Sequence, residues 1–178
     1  MIVGLIQADE LLAALILLYS AIDGCAWLAG LAGNNAEDGV QFKAYVQSYV
    51  LRGRERVTDE DVWAARCGIL HTQTPESRLS RKQRARELVY DLRIGRGLTQ
   101  PSRPAQNTPP LSVNPIGILL KWKNGWKRFA ADLRRDPTRH ADFVGRAESL
   151  MDAVNTPRIP HLIKRRLKIS IKDSETKS

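Results

Sequence analysis

One long, nearly uncharged segment limits the possible folds of this chain more than any other feature. Residues 11–33 form a run of 23 residues in which Asp23 is the only charge. About 20 apolar residues can cross a bilayer, but a carboxylate at mid-membrane costs roughly 2.5–3.5 kcal/mol on insertion scales. No lysine or arginine precedes Lys43 to orient the segment or to begin a signal peptide. We therefore expect a core helix without membrane contact, with a membrane span as the alternative.

The apolar residues of this segment repeat with helical spacing. Asp9 supplies an acidic start, and the Gly33-Asn34-Asn35 cluster supplies a stop. Between these signals, intervals of four and three residues place one set of side chains on a single helical face. The members of this set are Leu11, Leu15, Leu18, Ile22 and Cys25. The spacing therefore predicts the first core helix.

Similar periodic runs predict further helices, and we expect their apolar stripes, tryptophans included, to pack in the core. The stripes are Phe42, Tyr45, Val46, Tyr49 and Val50 in the second helix, Val62, Trp63, Ile69 and Leu70 in the third, Leu119, Trp122, Trp126, Phe129 and Leu133 in the fifth, and Phe143, Ala147, Leu150 and Val154 in the last. Thr58 and Asp61 can form a capping box at the start of one of them, and Ser80 and Gln83 can form a box at the start of the next. Residues 87–94, which overlap the end of this latter helix, could instead form a strand. The ranges expected for the helices after the first are 38–51, 59–71, 80–92, 117–135 and 138–154.

Proline and glycine divide the chain. Residues 95–115 contain two glycines and five of the nine prolines, so we expect a loop over residues 96–116. Pro137 is expected to end one helix and Thr138 to cap the next. From residue 156 onward the chain is basic and aperiodic, so residues 156–178 are expected to form a mobile tail.

Five to six helices with hardly any strand signal predict an all-α fold, an up-and-down helical bundle. In this interpretation residues 1–95 form the helical core, and residues 117–155 add two further helices that pack on it.

The net charge of +9 is distributed unevenly. Residues 1–60 carry four basic and eight acidic side chains, residues 78–104 carry eight and two, and residues 157–178 carry seven and two. Clustered basic residues are typical of proteins that bind nucleic acid. The two cysteines, Cys25 and Cys67, are too few for a disulfide scaffold or a zinc ribbon. We therefore expect a cytoplasmic protein that binds nucleic acid.

One predicted helix carries an arginine on its apolar face. Arg66 lies four residues after Val62 and four before Leu70, so its guanidinium points inward. A buried charge requires a partner, and the candidates are Asp23 and a ligand phosphate. His71 follows about 140° around the helix. The pair can converge only if the helix ends there or if two copies pack about a two-fold axis.

An arginine and a histidine together can perform phosphodiester transfer. A neutral imidazole can take the proton of a ribose 2′-hydroxyl. A planar guanidinium can hold the phosphate oxygens as charge develops on them, and each such donor is worth roughly 3–4 kcal/mol. A structural arginine beside a surface histidine is the alternative.

Other combinations of these side chains are weaker. Cys67 and His71 are four residues apart and could form a thiolate–imidazole pair, but no third orienting group is apparent. Cys25 together with these two would still lack metal ligands, so we expect no metal and no cofactor. His140 and His161 are expected to be solvated.

A basic run follows His71. It is either a solvated face or a groove that follows an RNA backbone. Its members are Arg78, Arg81, Lys82, Arg84 and Arg86.

Arg66, four intervening residues and His71 match the R-x4-6-H motif of HEPN domains (higher eukaryotes and prokaryotes nucleotide-binding), which this sequence resembles. Residues 21–28 resemble the first core helix of bacterial HEPN-like proteins, and residues 63–81 are similar to their motif region. The likeness covers roughly residues 8–95 and, more loosely, residues 117–154. The family commonly has a polar residue after the arginine, where this chain has Cys67.

The resemblance implies a bundle of four or five helices, paired as a homodimer across the motif. It implies a metal-independent endoribonuclease of the kind found in toxins, phage defence and RNA processing, with an antitoxin or defence-system protein as a further partner. His71 would be the general base or acid and Arg66 the phosphate clamp, supported by Asp23, Cys67 and Thr72. The alternative is a non-catalytic RNA- or nucleotide-binding module.

Overall fold

The computed structural model describes residues 1–33, 36–51, 56–74, 76–92, 99–101 and 109–155, with only the backbone described for 99–101 and 153–155. The chain divides into two compact units, Met1–Phe143 and Val144–Ser178. The helices are α1 (Ile2–Gln7), α2 (Leu11–Ala29), α3 (Asp38–Tyr45), α4 (Asp59–Cys67), α5 (Arg78–Arg81), α6 (Pro115–Leu133) and α7 (Pro137–Asn155). Two π-helical turns, π1 (Val46–Val50) and π2 (Gly68–Thr72), continue α3 and α4, and the strands are β1 (Leu88–Tyr90), β2 (Thr99–Pro101) and β3 (Leu111–Val113).

The chain is mostly helical, as expected, but it also contains a three-stranded sheet that the all-α prediction lacked. Helix α2 packs against α1, α3, π2 and α6. Its predicted stripe is confirmed as a core face: Leu15, Leu18, Ile22 and Cys25 are buried, and Leu11 is partly buried against them. The helix ends at Ala29, before the predicted stop at Gly33, because Gly30 adopts a left-handed conformation with φ of 57°.

Helix α2 is also long and apolar enough to cross a membrane, with a mean hydropathy of 1.9. A core helix of a soluble protein meets the same criteria of length and composition. In this structure one face of α2 is buried in the protein core, and Asp23 is paired with Arg66 at 2.6 Å.

The second predicted helix is confirmed as α3 and π1, and its apolar stripe is buried. The π-helical turn begins at Val46, whose carbonyl accepts a hydrogen bond from the amide of Leu51, five residues further on, at 2.7 Å. Each residue of the predicted stripe lies in the hydrophobic core: Phe42, Tyr45, Val46, Tyr49 and Val50.

Helix α4 begins where the sequence predicts. The amide of Thr58 donates to Asp61 Oδ2 at 2.9 Å, and the amide of Asp61 donates to Thr58 Oγ1 at 3.2 Å. These reciprocal bonds form the capping box, and they satisfy two amides that a helix start leaves without partners.

The helix predicted over residues 80–92 is wrong. The capping box is formed by Ser77 and Ser80, whose bonds are 2.8 and 3.1 Å long, rather than by Ser80 and Gln83. Helix α5 then has only four residues, and Gln83 adopts a φ of 55° that ends it. The alternative prediction of a strand within residues 87–94 is confirmed, because residues 88–90 form β1. Two adjacent β-branched or aromatic residues, Val89 and Tyr90, favour an extended backbone.

The predicted loop at 96–116 contains two strands among its described residues. Strand β1 pairs in parallel with β3, and β2 pairs antiparallel with β3, so the order is β1-β3-β2. Leu88 and Val113 are fully buried in the core, which explains why the sheet forms although its sequence is rich in proline. Residues 93–98 and 102–108 of this region lie outside the described residues.

Helix α6 confirms the core role of its aromatic residues. Leu119, Phe129 and Leu133 are buried, and Trp122 and Trp126 pack against the same core. Asn114 caps the helix, because its Oδ1 accepts from the amides of residues 116 and 117 at 2.8 and 3.4 Å.

The expected boundary between α6 and α7 is wrong in detail. Pro137 is the first residue of α7 and does not itself end α6. Asp136, rather than Thr138, caps α7, since its Oδ1 accepts from the amide of Arg139 at 3.0 Å. In the second unit the described residues continue α7, and there Leu150 of its predicted stripe is exposed. The predicted tail at residues 156–178 lies outside the described residues.

Candidate nucleic-acid site

The Arg66 side chain is largely buried and held by a carboxylate from another helix. Arg66 Nη2 donates to Asp23 Oδ2 at 2.6 Å, and the Arg66 side chain is only 13% exposed. Of the two partners expected from the sequence, Asp23 is the one present. Burial lowers the pKa of Arg66, but Asp23 more than offsets this effect, so the pKa is raised and the guanidinium keeps its charge.

A fixed tryptophan lies on another side of Arg66. The guanidinium carbon is 4.9 Å from the centre of the Trp63 ring, within cation–π range. Trp63 itself packs on Phe42 with ring centres 5.3 Å apart. It also lies so close to Gly39 that a Cβ at that position would be 3.0 Å from the ring. The carboxylate and the ring together leave the guanidinium little freedom to turn.

His71 meets Arg66 because π2 widens the end of α4. Arg66 Nη1 and His71 Nε2 are 3.1 Å apart. In an α-helix five residues correspond to about 140° of separation, but a π-helical turn pairs residues five apart. In π2 the amide of Gln73 accordingly donates to the carbonyl of Gly68. The site is therefore assembled within one chain by a local change of helix type, and this contact needs no second copy.

The hydrogen bond between these two side chains determines the tautomer of the imidazole. A guanidinium carries only donors, so Nε2 of His71 must present its lone pair and the ring proton must lie on Nδ1. His71 is exposed to solvent. The pair therefore offers an imidazole nitrogen able to accept a proton, beside a permanent positive charge.

Thr72 stabilises the turn that carries His71. Its Oγ1 donates to the carbonyl of Gly68 at 2.8 Å and lies 2.8 Å from Oγ1 of Thr74. Thr74 Oγ1 in turn donates to the carbonyl of Glu76 at 3.0 Å. Thr72 thus supports the backbone of π2, and through that backbone the position of His71.

Cys67 is half-buried beside Arg66. Burial raises the pKa of its thiol, and the neighbouring guanidinium only partly opposes this effect. A raised pKa keeps the thiol protonated, which disfavours a thiolate–imidazole pair with His71. Cys25 is buried in the core, and the pKa of its thiol is likewise raised by burial. Within the described ranges, no three His, Cys, Asp or Glu side chains group closely enough to hold a metal ion.

The basic run divides into exposed and structural members. Four of its members are exposed to solvent: Arg78, which begins α5, and Arg81, Lys82 and Arg84. Arg86 is different, because its Nη2 donates to Asp61 Oδ2 at 2.6 Å and its amide donates to Asp61 Oδ1 at 2.7 Å. Asp61 is almost completely buried, and the carbonyl of Arg56 also accepts from Arg86.

Sequence reasoning missed two contributors to this site. The sequence places Trp63 only on the apolar face of its helix, although its ring also contacts Arg66. It places Asp61 only in the capping box, although Asp61 also fixes the segment that carries the basic run. Only the capping pattern points to Asp61, since its second partner lies 25 residues further along the chain. His140 is exposed, as expected, and His161 lies outside the described residues.

A comparison with known proteins gives no match: no family model, no curated protein and no solved structure is detectably similar to this chain.

Proposed function

We propose that this chain is a HEPN-type endoribonuclease that cleaves RNA without a metal ion. The observation that carries the proposal is the 3.1 Å contact between Arg66 Nη1 and the solvent-exposed His71. A general base must lie at the surface where a substrate can reach it, and a phosphate clamp must be held in a fixed orientation. Asp23 and Trp63 provide that orientation for Arg66.

The reaction begins when a phosphate group replaces His71 as the partner of Arg66 Nη1. The lone pair of His71 Nε2 then accepts the proton of the ribose 2′-hydroxyl. The 2′-oxygen forms a bond to phosphorus as the bond from phosphorus to the 5′-oxygen breaks. The products are a 2′,3′-cyclic phosphate and a 5′-hydroxyl, whose proton comes from a second acid.

A homodimer would supply that second acid. In the proposed assembly two copies pair across the motif, one His71 neutral and the other protonated. The protonated one, the partner subunit's His71, turns away from its own Arg66 and gives its Nε2 proton to the leaving 5′-oxygen, so that one imidazole gains the proton that the other loses. The exposed side chains of Arg78, Arg81, Lys82 and Arg84 would hold the RNA backbone. The biological setting proposed is a cytoplasmic toxin, phage-defence or RNA-processing system, with an antitoxin or defence-system protein as a partner.

The second candidate function is RNA or nucleotide binding without cleavage. It is favoured by the 2.6 Å ion pair between Arg66 and Asp23, because a guanidinium already neutralised by a carboxylate attracts a phosphate less strongly. In this case the basic run alone would provide the affinity.

Incubation with mixed RNA in EDTA tests the proposal. We expect cleavage by the wild-type protein, and a loss of at least about 100-fold in rate in His71→Ala, as is typical for a general base. His140→Ala is the matched control, because His140 is also exposed but lies on α7. An RNA with a single 2′-deoxy position should resist cleavage at that position.

The outcomes separate the two functions. Cleavage that persists in both His71→Ala and Arg66→Lys would overturn the site, and binding without cleavage by the wild-type protein would support the non-catalytic module. Circular dichroism spectra identical to wild type are required of each variant, since Arg66 is partly buried.

A further inference from the structure

A polar cleft opens between π1 and the C-terminal half of α6. Its volume is about 640 Å³, within the range of small-molecule sites. Gln47, Ser48 and Tyr49 line it from π1, and Arg128, Asp132 and Arg135 line it from α6 and the residues just after it. It shares no residue with the pair formed by Arg66 and His71.

The walls of the cleft are fixed by close backbone packing. A Cβ at Gly125 would lie 2.4 Å from the carbonyl oxygen of Tyr49, so α6 approaches π1 as closely as a glycine allows. The same carbonyl accepts a hydrogen bond from Arg128 Nη2. The cleft is therefore a preformed feature of the fold, since both of its walls are tied to one carbonyl group.

The charges around the cleft favour an anion. Among the described residues that line it, Asp132 supplies the one carboxylate, which accepts from the Tyr49 hydroxyl at 3.0 Å, and that hydroxyl accepts from Arg139 Nη2 at 3.0 Å. Arg135 is 81% exposed, and its contact with Asp132 is 3.9 Å long, at the outer limit of an ion pair. Two guanidinium groups, those of Arg128 and Arg135, thus line the cleft together with one carboxylate that is already hydrogen-bonded.

We propose that this cleft binds a phosphate ester, held by Arg135 and Arg128. Guanidinium groups match phosphate oxygens with paired, charge-assisted hydrogen bonds. The exposed side chains of Gln47 and Ser48 add neutral donors on the opposite wall. The phosphate belongs either to a free nucleotide or to an RNA strand, and both sources present the same chemistry to the arginines. The site stands independently of the cleavage reaction proposed for His71.

Calorimetric titration with AMP, and separately with a short single-stranded RNA, tests the site. Arg135→Gln should weaken binding of at least one of the two probes about tenfold, the size expected for one charge-assisted hydrogen bond. Arg134→Gln is the matched control, because it removes the same charge from the adjacent exposed position outside the cleft. It should change the affinity less than about twofold, since it forms no hydrogen bond to the bound phosphate. Equal losses in the two variants would overturn the site and indicate a bulk charge effect.

A second variant tests the cleft without removing an arginine. Ser48→Glu adds a carboxylate at an exposed lining position, so it should weaken binding of the probe that Arg135→Gln affects, at constant thermal stability, whereas unchanged affinity for that probe would overturn the site. In a His71→Ala background, Arg135→Gln should still weaken binding by the same factor, which separates failure of this site from failure of the nuclease proposal. Binding of AMP identifies a nucleotide site, binding of RNA alone identifies a strand contact, and binding of neither overturns the proposal.

Discussion

Arg66 Nη1 lies 3.1 Å from His71 Nε2, although the two residues are five positions apart in the chain. The π-helical turn Gly68–Thr72 makes this contact possible. The orientation of Arg66, by contrast, depends on Asp23, which lies 43 residues away in the sequence. Backbone geometry thus brings the pair together, while a distant carboxylate fixes its position.

The ion pair between Asp23 and Arg66 should contribute to stability. Asp23→Asn leaves a largely buried guanidinium without its countercharge, and we expect a loss of about 1–3 kcal/mol in the free energy of unfolding. Urea denaturation measures this loss.

The pair between Lys43 and Glu60 is the control for this measurement. Its N–O distance is 2.8 Å, but the two side chains are 31% and 29% exposed. Glu60→Gln should therefore cost no more than about 1 kcal/mol. Equal losses in the two variants would show that burial of Arg66 has no energetic consequence.

The carboxylate of Asp61 should make stability depend on pH in the acid range. Burial raises the pKa of Asp61, but the hydrogen bonds from Arg86 and Thr58 outweigh it, so the pKa is lowered below its usual 3.8. The folded state therefore binds the proton less readily than the unfolded state. The resulting stability is fully present above about pH 4, and it is lost as the pH falls through the lowered pKa.

Asp61→Asn provides the comparison, measured by urea denaturation from pH 7 down to pH 2. At pH 7 the substitution should cost about 3 kcal/mol, because it leaves Arg86 without its charged partner. Below about pH 4 the wild-type protein should lose stability more steeply than the variant. Parallel curves for the two proteins would contradict the assigned pKa direction.

Gly125 should tolerate no larger residue. In Gly125→Ala the new Cβ would lie 2.4 Å from the carbonyl oxygen of Tyr49, so π1 and α6 must separate. We expect a loss of roughly 1–3 kcal/mol, typical of overpacking. Gly24→Ala is the control within α2, where a Cβ meets no atom within 4 Å and should stabilise the helix by about 0.5–1 kcal/mol. Thermal unfolding measures both effects: the midpoint temperature should fall in Gly125→Ala and rise in Gly24→Ala.

The exposed basic run should dominate the salt dependence of RNA binding. Replacing Arg81 and Arg84 by Gln should reduce the slope of log affinity against log salt by about 0.7 for each phosphate that the protein no longer neutralises. Replacing Lys172 and Lys177 by Gln in the C-terminal segment should reduce it less. Fluorescence anisotropy at several salt concentrations measures both, and equal slopes would show that only the total charge matters.

Much of the helical framework could be predicted from the sequence, because helix starts and apolar stripes are local patterns. Thr58 and Asp61 form the expected capping box, and the stripes of α2 and α3 are buried as predicted. The prediction failed over residues 80–92, where Ser77 caps a short helix and the chain then turns into β1. The partner of β1 is β3, which pairs Leu88 with Leu111, and short-range periodicity cannot report such a pairing.

The amino-acid sequence alone established which residue types were available for chemistry. An arginine on an apolar helical face requires a partner, and Asp23 was the single charge in the first core helix. The packing of the folded chain decided that Asp23 is the partner, that Trp63 flanks the guanidinium, and that Arg86 is held by Asp61. These contacts join residues that are distant in the chain or depend on side-chain placement, so local sequence patterns do not specify them. The change from α-helix to π-helix after Cys67 was also not predicted by the apolar periodicity, and it lies where π2 packs against α2.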